Sequence, residues 1–168
     1  MREKEKKMKT TSYFLFLLSF LLPSSFFLLP SFFSSCTRDT YLTASDGIRI
    51  AYEYKPADAE KGTAVLLHGL GSDLAEWYTL IKHLNQNGWS TLALDFRGHG
   101  LSTEWKGEEL DWRNFSAEGR RTLLRDIGAA IRFLEGKKNI WLAGSSLGAN
   151  LAINYAAQDP GVHGVILL

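Results

Sequence analysis

Three short segments of the 168-residue chain carry residue types whose spacing could do chemistry. The sharpest is Gly144-Ser145-Ser146-Leu147-Gly148, a G-x-S-x-G pattern. Two glycines let the backbone turn tightly enough to hold the middle residue on a strained bend, with its hydroxyl projecting as a nucleophile must. A Gly/Ser turn of five residues also arises by chance with no chemistry attached, and context separates the two cases: a strand before, a helix after. Asn139–Ala143 (NIWLA) and Leu147–Gln158 (LGANLAINYAAQ) supply that context. Ser145 stands one position too early in the pattern, so Ser146 is the candidate nucleophile.

Attack by a serine on a carbonyl leaves negative charge on the carbonyl oxygen, and backbone amides aimed at that oxygen can stabilise it by about 3 kcal/mol. The second segment, His68-Gly69-Leu70-Gly71, fits this need, with the Leu70 amide and the Leu147 amide as the two donors. His68 invites a general-base role, but it lies on the oxyanion side of the cleft, and a histidine bracing the loop by hydrogen bonds is the preferred reading. The third segment runs from Asp95 to Ser102 (DFRGHGLS). Its Asp95 and His99 sit four residues apart in one Gly-rich loop and make no triad with Ser146, so they are expected to shape the cleft floor. Gly69, Gly144 and Gly148 complete this structural set. Trp77, Trp105 and Trp112 are placed either around the opening or in packing roles.

Positioning these loops requires strands that end together. Ile48–Tyr54 alternates and is rich in β-branched and aromatic residues, as in a half-exposed strand. Thr63–Leu67 (TAVLL) and Thr91–Leu94 (TLAL) are continuous apolar runs that suit strands buried on both faces. Trp77, Leu80, Ile81 and Leu84 recur at helical spacing before Asn87-Gly88, and Leu123, Leu124, Ile127, Ala130, Ile131 and Leu134 do so before Gly136. Val162–Leu168 begins another strand. Strand and helix in turn predict an α/β fold: a mostly parallel sheet with helices on both faces and its loops of interest along one edge.

The composition divides the chain. Seven of ten Phe fall in residues 1–35, and five of 19 Lys and Arg fall in the first nine residues. A basic start followed by the uncharged stretch Tyr13–Phe33 reads as an n-region and h-region, so residues 1–35 are expected to be a signal peptide. The stretch closes on Phe33-Ser34-Ser35-Cys36, which resembles a bacterial lipobox, and this makes Cys36 a lipidation candidate in an exported, membrane-anchored lipoprotein of the cell envelope. An ordinary signal peptide, giving a secreted or periplasmic protein, an uncleaved anchor and a misassigned start are the competing readings. Pro23 and Pro30 interrupt the run as a membrane span. Residues 36–168 carry 14 basic and 16 acidic residues, a balance that gives no field for nucleic acid. One cysteine builds neither a disulfide framework nor a cysteine-type zinc site. The four histidines share no ligand spacing and no dinucleotide fingerprint occurs, so neither metal nor cofactor is expected.

Taken together, HGLG, DFRGHGLS and GSSLG in this order resemble the α/β-hydrolase superfamily, specifically serine hydrolases related to lipases, esterases and serine aminopeptidases. The resemblance covers roughly residues 41–168. It implies Ser146 as nucleophile, the Leu70 and Leu147 amides as oxyanion hole, and a small-molecule ester or amide cleaved through an acyl-enzyme. It also implies a triad in the order Ser, Asp or Glu, His on loops after later strands. Only 22 residues follow Ser146, and Asp159 and His163 among them read as a helix-closing turn and a strand start. Residues 36–168 are therefore expected to be a partial hydrolase domain stopping after about the sixth strand, with its acid and base outside and little activity alone. A non-catalytic membrane-tethered binding module and an acyltransferase on the same fold are the alternatives.

Overall fold

The computed structural model describes residues 40–168. The expectations for residues 1–35 and Cys36 lie outside the described residues. Eight strands occur among them: β1 (Tyr41–Thr43), β2 (Arg49–Lys55), β3 (Gly62–Leu67), β4 (Trp89–Leu94), β5 (Glu104–Trp105), β6 (Glu108–Glu109), β7 (Ile140–Gly144) and β8 (Val162–Leu167). Four α-helices accompany them: α1 (Tyr78–Gln86), α2 (Ala117–Arg121), α3 (Leu124–Phe133) and α4 (Leu147–Ala156). Single 3-10 turns lie at Leu74–Trp77 and Trp112–Asn114.

Six strands form one sheet in the order β1-β2-β4-β3-β7-β8, and β5 pairs with β6 as a separate hairpin. β4, β3, β7 and β8 are parallel, while β2 meets β4 antiparallel and β1 meets β2 antiparallel. The sequence pattern missed β1, a three-residue edge with too few positions to show alternation, and the β5–β6 hairpin, whose strands are Glu-rich. All six residues of β3 are buried, because its two faces serve two cores. On one face Val65, Leu67, Leu92, Leu94 and Leu142 pack with Ile127 and Ala130 of α3 and with Leu151 and Ala152 of α4. On the other, Ala64, Leu66, Ala93 and Ala143 pack with Trp77 and Ile81. Trp77 is thus a core residue at 5% exposure, not part of an opening.

The register decides where chemistry can occur. Leu67 pairs with Leu94 and with Gly144, and Gly144 pairs with Leu167, so the four parallel strands end in line. The segments 68–71, 95–102 and 145–146 therefore leave the sheet at one edge. β3 connects outward to β4 on one side and β7 lies on its other side, so the order reverses between β3 and β7. Such a switch point opens a crevice above the strand ends.

Candidate active site

Ser146 stands between β7 and α4 with φ 48° and ψ −107°. A non-glycine residue at such angles costs about 1–3 kcal/mol and persists only where its surroundings enforce it. The enforcing contacts come from the two glycines of the motif. A Cβ on Gly144 would run into the backbone of Gly148 and Ala149. One on Gly148 would collide with the Leu67 carbonyl oxygen and stand 2.8 Å from that of His68. The first turn of α4 is thus pressed against the end of β3, and only glycine allows it. Ser146 is exposed at the edge.

Around this elbow the backbone offers donors. The first amides of a helix have no partner within it, and among the described residues neither the Leu147 nor the Leu70 amide donates to a protein acceptor. Leu70 is half exposed at 51% on the loop after β3. Gly69 lies against the elbow: a Cβ there would stand 3.7 Å from Ser146 Cβ and 3.2 Å from Ser145 Oγ. Ser145, intermediate in exposure, donates its hydroxyl to Glu76 Oε1 in a short hydrogen bond, and Glu76 Oε2 accepts from the Gly69 amide at 3.0 Å. Sequence spacing gave no sign of Glu76, which sits in a 3-10 turn.

His68 is fully buried and has both ring nitrogens engaged. Its Nε2 accepts from the Phe96 amide at 3.0 Å, which leaves the proton on Nδ1 to be donated to the Gly69 carbonyl at 2.7 Å. Burial holds its pKa below the usual histidine value, against the pull of the Gly69 carbonyl and nearby carboxylates, so the ring is neutral. His99 is 3% exposed, binds the Arg97 carbonyl through Nδ1, and stacks on Trp112 at 5.3 Å between centroids. Burial lowers its pKa too. Trp112 also lies beside Gly71, where a Cβ would be 3.2 Å from the indole, so this tryptophan walls the 68–71 loop.

The loop after β4 is pinned from several sides. Asp95 accepts from the Leu74 amide at 2.7 Å and the Leu101 amide at 2.8 Å, and burial raises its pKa despite those bonds. Gly100, at φ 49°, leaves room for that carboxylate where a Cβ would overlap it. Ser102 donates to the Asp95 carbonyl and accepts from the Ala51 amide, which ties the loop to β2. Arg97 is 3% exposed and reaches Asp126 through Nε at 2.9 Å and Nη2 at 2.6 Å, and Asp46 through Nη1 at 2.6 Å. Burial pushes the Asp126 carboxyl up to about 6 against the pull of Arg97. For Asp46, burial is outweighed by hydrogen bonds from Arg97 and Arg125, and its pKa falls to about 2.

The other two histidines are remote from Ser146. His83 sits in the last turn of α1. His163 is four residues before Leu167 on β8, roughly 13 Å of strand rise from the edge where Ser146 stands. Asp159 lies just ahead of that strand, where its carboxylate accepts from the Gly161 amide at 2.8 Å and closes the turn. His99 Nε2 has no hydrogen-bond partner but is buried, so no described histidine near the strand ends offers Ser146 an accessible nitrogen.

Over residues 58–168 the chain matches the serine aminopeptidase S33 family. It is 30% identical over 138 residues to the monoacylglycerol lipase of Mycolicibacterium smegmatis, a match covering 80% of this chain and 47% of that protein. It is also 30% identical over 117 residues to the dihydrolipoyllysine-residue acetyltransferase component of the acetoin cleaving system of Cupriavidus necator, covering 68% and 27%. Among solved structures, an α/β hydrolase from Novosphingobium aromaticivorans superposes with a TM-score of 0.61 at 26% identity, covering 76% of this chain and 42% of that one. The monoacylglycerol lipase of Paleococcus ferrophilus gives 0.57 at 28%, covering 70% and 42%. The chain thus spans about half the length, or less, of these relatives. A strained serine elbow at the switch point of this sheet and the match over residues 58–168 agree: the chain belongs to the serine aminopeptidase S33 family of the α/β-hydrolase superfamily.

Proposed function

We propose that this protein is a serine hydrolase that cleaves a carboxylic ester, or an amide, through an acyl-enzyme on Ser146. The observation that carries the proposal is the Ser146 backbone, held at φ 48° by the close approach of Gly148 to the end of β3. In this reading the Ser146 hydroxyl attacks the carbonyl carbon and the amides of Leu70 and Leu147 receive the developing oxyanion. The alcohol or amine then leaves, and water releases the acid from the serine. The ester preference rests on the similarity to two monoacylglycerol lipases. Both His68 nitrogens are bonded and the unpartnered His99 Nε2 is buried, so the proposal takes the proton acceptor and its acid from outside residues 40–168.

A base-independent test follows from that assignment. A fluorophosphonate probe is expected to modify Ser146 slowly in the 168-residue chain and faster when imidazole is added as a surrogate base, as mapped by peptide mass. Ser146→Ala should abolish the adduct. Labelling of Ser145 instead, or none at any imidazole concentration, would sink the proposal.

On sequence grounds alone, the protein is further proposed to be exported and lipid-anchored through Cys36. Radiolabelled palmitate should enter the chain in a bacterial host and not its Cys36→Ser variant; an unlabelled wild type removes the anchor.

A further inference from the structure

The geometry points to Glu76 as a positioning residue that sets the distance between the oxyanion loop and the nucleophile elbow. This rests on the reading of Ser146 and Leu70 given above. The two loops come from different strands, and the last backbone hydrogen bond between them runs from the Ser145 amide to the Leu67 carbonyl at 3.1 Å, so among the described residues no backbone bond ties residues 69–71 to the elbow. One carboxylate does so. Its Oε2 accepts from the Gly69 amide at 3.0 Å, and its Oε1 accepts the Ser145 hydroxyl. Each donor directly precedes a residue with a proposed role, Gly69 before Leu70 and Ser145 before Ser146.

The mounting of Glu76 is rigid at its base. Asp73 caps the 3-10 turn by accepting from the Ala75 amide at 2.9 Å, Leu74 is tied to Asp95 at 2.7 Å, and Trp77 is buried in the core. The clearance it maintains is narrow, since a Cβ on Gly69 would already be 3.2 Å from Ser145 Oγ. A negative group beside a developing oxyanion is unfavourable unless its charge is engaged. Here burial opposes ionisation, but the bonds from Ser145, Gly69 and Ser72 outweigh it and keep the carboxyl ionised. Glu76 touches Ser145 and not Ser146, so it acts through position. It also commits the Ser145 hydroxyl, which leaves Ser146 as the free one of the pair.

Glutamine at this position keeps one acceptor but presents an NH2 group where the second was. In the 168-residue chain, Glu76→Gln is expected to speed hydrogen exchange of the Gly69 amide roughly tenfold or more, without a matching change in β3 or α4. Unchanged exchange at Gly69 overturns the assignment, whatever the labelling shows. Fluorophosphonate kinetics with imidazole give the second arm. The maximal inactivation rate should fall about 10- to 100-fold in Glu76→Gln with the probe's half-saturating concentration unchanged, and Glu76→Gln/Ser145→Ala should be no slower than Glu76→Gln. Fully additive losses, or a rate equal to wild type while Ser146→Ala abolishes labelling, refute the brace but keep the serine reading. Absence of labelling in the wild type counts against the serine reading and leaves the Gly69 amide to judge the brace.

Discussion

Arg97 and Asp126 form the most enclosed ion pair among the described residues, at 3% and 0% side-chain exposure, and their geometry carries a stability prediction. Removing one partner of a buried pair strands the other, so Arg97→Leu should cost about 3–5 kcal/mol in urea unfolding, with much of it recovered in Arg97→Leu/Asp126→Leu. The acid limb belongs to Asp46. Its folded pKa, about 2, lies below the ordinary 3.8, so its contribution is present above pH ~4 and is lost as pH falls toward 2. Asp126 works the other way, because a carboxyl raised to about 6 takes up its proton more readily folded than unfolded and favours the fold as pH drops from 6 toward 4. Stability should therefore hold or rise slightly down to pH ~4 and fall below it, and Asp46→Asn should flatten that fall. A steady loss from pH 7 downward would contradict both assignments. Ser146, Gly144 and Gly148 were legible in the sequence because a motif states backbone geometry. Glu76 was not, since its partners come from two distant loops. Asp126 left a readable sign, an acid on the apolar stripe of Leu123, Ile127 and Ala130, three residues from the first of them.

The junction of β3, β7 and α4 makes its own prediction. Gly148→Ala places a methyl against the Leu67 carbonyl, and backbone cannot step aside as a side chain does. A cost of about 1–3 kcal/mol is expected from overpacking, together with loss of fluorophosphonate labelling as the elbow tilts. A variant with wild-type stability and labelling would show that α4 has room to move. The long apolar strands and the two amphipathic helices were readable from periodicity, and their observed bounds lie within a few residues of the pattern. α2 and the β5–β6 hairpin were not, being too short for a period to repeat. Lys106 and Gly107 turn that hairpin with φ 53° and 81°, a two-residue turn without the usual Asn or Asp in front of the glycine.

For the whole described unit, β8 forms one edge of the sheet and leaves Ile166, Leu167 and Leu168 exposed at 43%, 55% and 62%. An uncharged strand edge with apolar neighbours recruits other strands. The 168-residue chain is expected to self-associate with rising concentration in sedimentation, and Ile166→Lys should shift it toward monomer; a monodisperse wild type at high concentration would refute this. No helix of the described residues is long and apolar enough to cross a membrane. The pairing of β3 with β7 has a further consequence, in the order of folding. Leu67 and Gly144 are neighbours in the sheet but far apart along the chain, with β4, the hairpin and three helices between them. Closing so long a loop is slow, because its entropy is spent before any contact repays it. The crevice between the two loops is thus a late product of folding: a chain still emerging from the ribosome shows the 68–71 loop to solvent long before Ser146 arrives to face it.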